Sequence, residues 1–260
     1  QSGKGCPERS LYSGNIIRMP DPGKGETWMF PFYFDPTYVL LIPAILLAVY
    51  AQTKVQTTFN KYSRVPARSG MTGAEVAMAL LHSRNIYDVT IQPIRGQLTD
   101  HYDPRKKTLN LSEGVYNSTS LAALGVAAHE VGHAFQHDTD YVPLKIRSAI
   151  VPIANIGSNL AFPLLLLGII LGNQKVAFIG VAAFSLAVLF QLVTLPVEYN
   201  ASNRAVEALE VGGYLERDEV HSTRKVLNAA ALTYAASTLM AVLQLLRLLI
   251  LSGAGNRRRD

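Results

Sequence analysis

Four stretches of this 260-residue chain are apolar over lengths close to the about 20 residues that a helix needs to cross a hydrocarbon layer. They run from about Pro36 to Ala51, Ile150 to Leu171, Val176 to Val197, and Val226 to Leu246 or beyond. A backbone in lipid must satisfy its own polar groups, so each stretch is expected to be helical, and the chain to be a mainly α integral membrane protein. Composition agrees, with 49% hydrophobic and only 17% charged residues. GNQK, residues 172–175, is a tight connection that makes the second and third spans a helical hairpin. Gly168 and Gly172 form a GxxxG pattern there, for which a turn glycine is the simpler explanation.

The expected organisation is a disordered extension at 1–28, a transmembrane helix at 29–52 and a soluble block at 53–145. A transmembrane hairpin at 148–198, a helix with its connection at 198–225, a fourth transmembrane helix at 226–251 and a basic tail at 252–260 complete it. Residues 1–28 are polar and rich in Gly and Pro, and Met29 reads like a natural start. Phe30, Phe32, Tyr33, Phe34 and Tyr38 are placed as an interfacial belt. The net charge of +5 reads as juxtamembrane Lys and Arg facing a lipid bilayer. No basic stripe interleaved with aromatics appears, so no nucleic-acid partner is expected. Lys54, Lys61, Arg147, Arg204, Arg224 and Lys225 flank the spans on the side of the soluble block, which favours a cytoplasmic block. Arg257 to Arg259 run against that balance unless the fourth segment does not fully cross.

Inside the block, TGAEVAMALLHSRNI opens with a capping box, Thr72 to Glu75, and has the spacing of an amphipathic helix. VTIQPI and KTLNLS read as short strands separated by GQLTDHYDPRKK, with a turn at Asp103-Pro104. Ser118 or Ser120 can cap the next helix, LAALGVAAHEVGHAFQH, which Asp138 and Pro143 end.

That helix carries the chemistry. Residues four apart on a helix share a face, so His129 and His133 can direct both imidazoles at one ion. HExxH is the spacing of zinc metallopeptidases, with Glu130 placed to accept a proton from the attacking water. The five-residue pattern also occurs in unrelated helices, but here it lies in a small-residue helix after an expected strand. The single cysteine, Cys6, excludes a multi-cysteine zinc site, so the metal must be held by His and carboxylate. His137 would lie about 12 Å along the axis from His129, and no Gly breaks the helix between His133 and His137. A place at the surface, or in support of the ligands, is therefore expected for His137. His82, His101 and His221 stand singly in polar surroundings.

Glu198, in QLVTLPVEYNASNRA, is the expected third ligand. A carboxylate at the end of a membrane helix is costly unless paired or functional. From His133 the chain leaves through the second span and returns through the third, so two crossings bring Glu198 to the side of HEVGH. The alternative is an interfacial carboxylate reaching for water. EYNASNRAVEALEVGGYL then has helical spacing, with Glu198 near its start and Gly212 and Gly213 closing it.

AAHEVGHAFQH, two spans and LPVEYNASNRA resemble the gluzincin layout of the HtpX and CAAX-prenyl membrane proteases, where a second helix supplies glutamate as third zinc ligand in a motif ending Ala-Asp. From Met29 onward the chain more closely resembles the YugP-type family of bacterial membrane zinc metallopeptidases. FNKYSRVPARSGMTGAEVA, LTDHYDPRKKTLNLSEGVYNSTSLAALGVAAHEVGHAFQH and FQLVTLPVEYNASNRA carry that resemblance. It implies about four transmembrane helices with a small α+β zincin-like domain, one Zn2+ per chain, and a multi-pass place in a bacterial plasma membrane. Where the related proteases carry Asp, this chain has Ser202, so Asn200 or Ser202 is expected to substitute for it.

The resulting expectation is a membrane-embedded zinc-dependent endopeptidase that hydrolyses peptide bonds through a zinc-activated water, with Glu130 as general base. Its partners would be peptide or protein substrates, membrane proteins included; no residue specifies an oligomeric state. His137, Arg204 and His101 are candidates to stabilise the oxyanion. KTLNLS could offer its edge to an extended peptide, which predicts broad side-chain tolerance. The competing expectation is a zinc-binding membrane scaffold or adaptor without proteolytic activity, in which Glu130→Gln would change nothing. A transporter would place its ligands in the spans, which contain Asn155, Asn159 and Gln191 but no His, Asp or Glu at mid-depth.

Overall fold

The computed structural model describes residues 36–252. The expected extension at 1–28, Met29, Cys6, the aromatics ahead of Tyr38 and the tail from residue 253 lie outside the described residues. A 3-10 turn, Pro36–Leu41, leads into α1 (Ile42–Tyr62), α2 (Gly73–Ser83), β1 (Thr90–Ile94), β2 (His101–Asp103) and β3 (Thr108–Ser112). Then follow α3 (Glu113–Tyr116), α4 (Leu121–Asp138), α5 (Val142–Ile170), α6 (Gln174–Val211) and α7 (Arg217–Leu251). Pro36–Tyr62, α5, α6 and α7 are each long and apolar enough to cross a membrane. The protein is thus a mainly α membrane protein with a small α+β domain.

Local chemistry explains the helix starts. The Thr72 and Glu75 capping box is formed at α2, the Ser120 side chain accepts from the Ala123 amide at α4, and Asn173 accepts from the amides of Lys175 and Val176 at α6. α4 is the buried centre of the soluble domain. Leu124, Ala127, Val131 and Phe135 pack with Val76 and Leu80 of α2, Leu109 and Leu111 of β3, and Ala205 and Leu209 of α6. On the spans the large apolar side chains face outward instead, as at Ile156, Phe162, Ile170 and Phe178, which is the surface that lipid covers.

The helices overrun the hydropathy boundaries. α1 continues to Tyr62, α5 begins at Val142 and α7 at Arg217, because hydropathy marks where the apolar solvent ends rather than where hydrogen bonding ends. The expected break near Val197 is absent: α6 runs through Pro196 and carries Glu198 in its body rather than near a start. Proline removes one helical hydrogen bond, and packing against neighbouring helices keeps the axis continuous. At 38 residues α6 is about 57 Å long, nearly twice the about 30 Å hydrocarbon thickness, so it must project beyond the bilayer.

In the α5–α6 hairpin, Gly172 takes a positive φ of 61° in the turn, as expected of a turn glycine. Gly168 serves a different purpose. A Cβ there would lie 2.3 Å from the Ala177 amide nitrogen, so its hydrogen is what lets the two helices close at the turn.

The three strands are ordered β1-β3-β2, with β1 parallel and β2 antiparallel to β3. This corrects the expectation for KTLNLS: β3 is the central strand, paired with β1 along its whole length and with β2 over residues 108–110, and the Ser112 amide beyond β2 donates to Asp100. The outer strands are β1 and β2, and β2 is three residues inside what reads as a turn-rich connection, too short to show an alternating pattern.

Candidate metal centre

α4 turns His129 and His133 toward α6, with the two rings edge to face and their centroids 4.9 Å apart. Gly132 between them sets the approach. A Cβ on Gly132 would lie 2.4 Å from the backbone oxygen of Ala201 on α6, so no larger residue fits this crossing. Glu198, about one turn before Ala201, is thereby set against the imidazoles. Its Oε2 lies 3.3 Å from His129 Nε2 and 3.6 Å from His133 Nε2. One ligand atom from each of the three residues lies within 4.8 Å of the others.

The two oxygens of Glu198 differ. Oε1 faces Arg147 Nη1 of α5 at 3.2 Å, whereas Oε2 is buried and has no hydrogen-bond donor among the described residues. The histidines are aimed from behind. Gln136 Nε2 donates to the Val197 carbonyl at 2.8 Å and to Asn200 Oδ1 at 3.0 Å, which points its Oε1 at His133 Nδ1, 3.0 Å away. Nδ1 of His133 therefore carries the proton and Nε2 presents a lone pair. Ser202 Oγ stands 3.1 Å from His129 Nδ1 and can act in the same way. Two lone pairs and a donorless carboxylate oxygen thus face one buried point, an arrangement that a cation completes. The same field acts on protons: burial opposes charge on His133, but the Glu198 and Glu130 carboxylates hold its imidazole above the ordinary 6.5.

Glu130 is 8% exposed, and its Oε2 accepts from the Tyr102 amide of β2 at 3.0 Å. Strand β2 is therefore what orients this carboxylate. The Tyr102 hydroxyl bonds His137 Nδ1 at 2.9 Å, and burial, followed by nearby aspartates, pushes its phenol up to about 12.

The remaining sequence candidates are engaged outside the cluster. His137 bonds Tyr102. Arg204 donates to Asn200 at 2.8 Å and to the Phe135 carbonyl and Thr139 hydroxyl. His101 is exposed, with its ring nitrogens at the Thr99 carbonyl and Asn110. Asn200 reaches a histidine only through Gln136. Sequence reasoning missed Gln136, Arg147 and Tyr102, as well as Tyr234 of α7, which is close enough to interact with Glu198. Only Gln136 left a signal, its place three positions after His133 and so near the same helix face; it is fully buried in the structure.

Residues 37–253 match the family described as "Putative neutral zinc metallopeptidase". The chain is also 47% identical, over 212 residues, to the Bacillus subtilis (strain 168) protein named "Putative membrane protease YugP", an alignment that covers 82% of this chain and 94% of that protein. No solved structure matches it. With that span of the family matched and the helices and cluster in place, the chain belongs to this neutral zinc metallopeptidase family.

Proposed function

We propose that the protein is a membrane-embedded zinc endopeptidase in which His129, His133 and Glu198 hold the ion and Glu130 is the general base. The observation that carries this reading is the buried, donorless Oε2 of Glu198 facing two imidazole Nε2 atoms. Two neutral nitrogens and one carboxylate suit zinc and leave a coordination position open. Zinc, when bound, supplies Lewis acidity that makes water nucleophilic near neutral pH and polarises a carbonyl.

The chain's own residues supply the rest. Glu130, oriented by the Tyr102 amide, takes the proton of the attacking water and passes it to the leaving amine. Gln136 and Ser202 hold the imidazoles in the tautomer that binds metal. Arg147 anchors the Glu198 oxygen that does not. Lys and Arg at the span ends support a cytoplasmic face for the site and a bacterial plasma-membrane setting.

The test is casein digestion by detergent-purified wild type, Glu130→Gln and Glu198→Ala, run side by side after metal analysis. Glu130→Gln is expected to keep its zinc and lose about 10²- to 10⁴-fold in rate, the span typical of general acid–base catalysis. Glu198→Ala is expected to lose both. Wild type that holds a full equivalent of zinc yet never cuts, with Glu198→Ala still holding it, would overturn the reading in favour of a scaffold.

A further inference from the structure

We infer that the groove between α1 and α7 is a binding site for the phosphate-bearing headgroup of an anionic phospholipid. The groove has a volume of about 600 Å³. Its upper part is lined by Lys54 and Lys61 of α1 and Lys225 of α7, and its lower part includes Tyr50, Ala229 and Leu232. All three lysines are exposed, and none has a carboxylate within ion-pair distance among the described residues. α1 contains no Asp or Glu, and the acidic residues that open α7 are committed elsewhere: Asp218 pairs with Arg68, and Glu219 accepts from the Arg68 amide. Three lysines without carboxylate partners around one concavity make it a favourable place for an anion.

The level of the groove decides which anion. α1 is apolar up to Ala51 and polar from Gln52 onward, whereas α7 is polar up to Lys225 and apolar from Val226. Residues 50–62 share this groove with residues 225–232, whereas Ala48 and Gln52 meet the later residues 233–244, so the two helices run in opposite directions and both switches fall where Lys54 and Lys225 line the groove. The groove therefore straddles the boundary between hydrocarbon and water. A phospholipid has the same division: its phosphate meets the lysines, with Thr57, Thr58 and Asn228 as further polar partners, and its acyl chains pass Leu232 and Tyr50 into the bilayer. Each juxtamembrane Lys facing an anionic surface adds to such attraction, and a concave site lends it selectivity. The site shares no residue with the metal cluster and stands independently of the proposed activity.

The experiment measures the unfolding midpoint of delipidated full-length protein in neutral detergent, titrated with phosphatidylglycerol, phosphatidylcholine or inorganic phosphate at constant ionic strength. Phosphatidylglycerol is expected to raise the midpoint saturably and phosphatidylcholine to leave it unchanged. The combined Lys54→Gln, Lys61→Gln, Lys225→Gln variant is expected to need at least tenfold more phosphatidylglycerol. A charge-matched control, Arg95→Gln, Arg105→Gln, Lys106→Gln on the sheet side, should stay within twofold of wild type. If the combined variant does not fold, the three single variants are read instead, each expected to lose part of the effect. An equal response to phosphatidylcholine, an equal loss in the control, or displacement of the lipid by millimolar inorganic phosphate would each overturn the inference.

Discussion

His129 and His133 sit on α4, a helix walled in by α2, β3, α6 and α7, and their spacing needs nothing beyond 3.6 residues per turn. Glu198 sits on α6, a helix that spends most of its length against α5 and lipid and meets α4 only past the span. The histidine pair is a local property of one helix. The carboxylate arrives by topology, through two crossings and a helix crossing close enough for Gly132 to touch the Ala201 carbonyl. The site is vulnerable at the second of these: the pair resists change in the membrane part, whereas the cluster as a whole depends on one glycine and on the polar contacts that tie α4 to α6.

Gly132→Leu should have the largest effect. Its Cβ cannot coexist with the Ala201 carbonyl, so the crossing must open, with overpacking at the upper end of about 1–3 kcal/mol and loss of zinc binding. Gly125→Leu is the matched comparison on the α7 side of the same helix, where the obstacle is the Thr223 methyl rather than backbone. It should lower the unfolding midpoint less and keep a full zinc equivalent. Zinc stoichiometry and thermal unfolding of both variants check this, and equal zinc loss in the two would dissolve the distinction between the crossings.

Gln136→Leu removes the residue that aims His133 and at the same time ties α4 to Val197 and Asn200. Zinc affinity should fall about 10- to 100-fold in chelator competition. Acidification comes next. Zinc requires a neutral His133, whose imidazole the carboxylates hold above 6.5, so protons begin to compete above that pH. Below it, affinity should fall by about tenfold per pH unit for each proton displaced, a slope that zinc titrations between pH 8 and 5.5 would resolve. In the metal-free protein the sign reverses: a raised imidazole contributes stability at low pH and loses it as pH rises through the folded value. Ser202→Ala should be mildest, less than tenfold in zinc affinity, because the hydroxyl supports His129 without linking helices through further partners.

Much of this architecture is legible without coordinates. The apolar runs can only be helices in lipid, the Thr72 and Glu75 box announces α2, and the hairpin argument carries Glu198 back to the side of HEVGH. What escapes follows from the limits of each signal. β2 is too short to alternate, and its outward-facing Tyr102 amide looks like any other residue of a turn. Arg147 reads as a flanking charge, although it bonds the buried Glu198 carboxylate, because hydropathy places a residue by depth and not by azimuth. The end of the third apolar run at Val197 reads as a boundary, but α6 continues through Pro196 to Val211.

Which segments enter the membrane, which helix bears the paired histidines and which carboxylate can return to them are all readable from the order of residues. Each follows from local quantities: transfer cost, helical spacing and the parity of crossings. Tertiary structure alone decided how closely α4 and α6 approach, which nitrogen of each histidine faces the cluster, and which strand orients Glu130. Those depend on a missing Cβ at Gly132 and on hydrogen bonds between residues far apart in the chain, for which a linear pattern carries no signal.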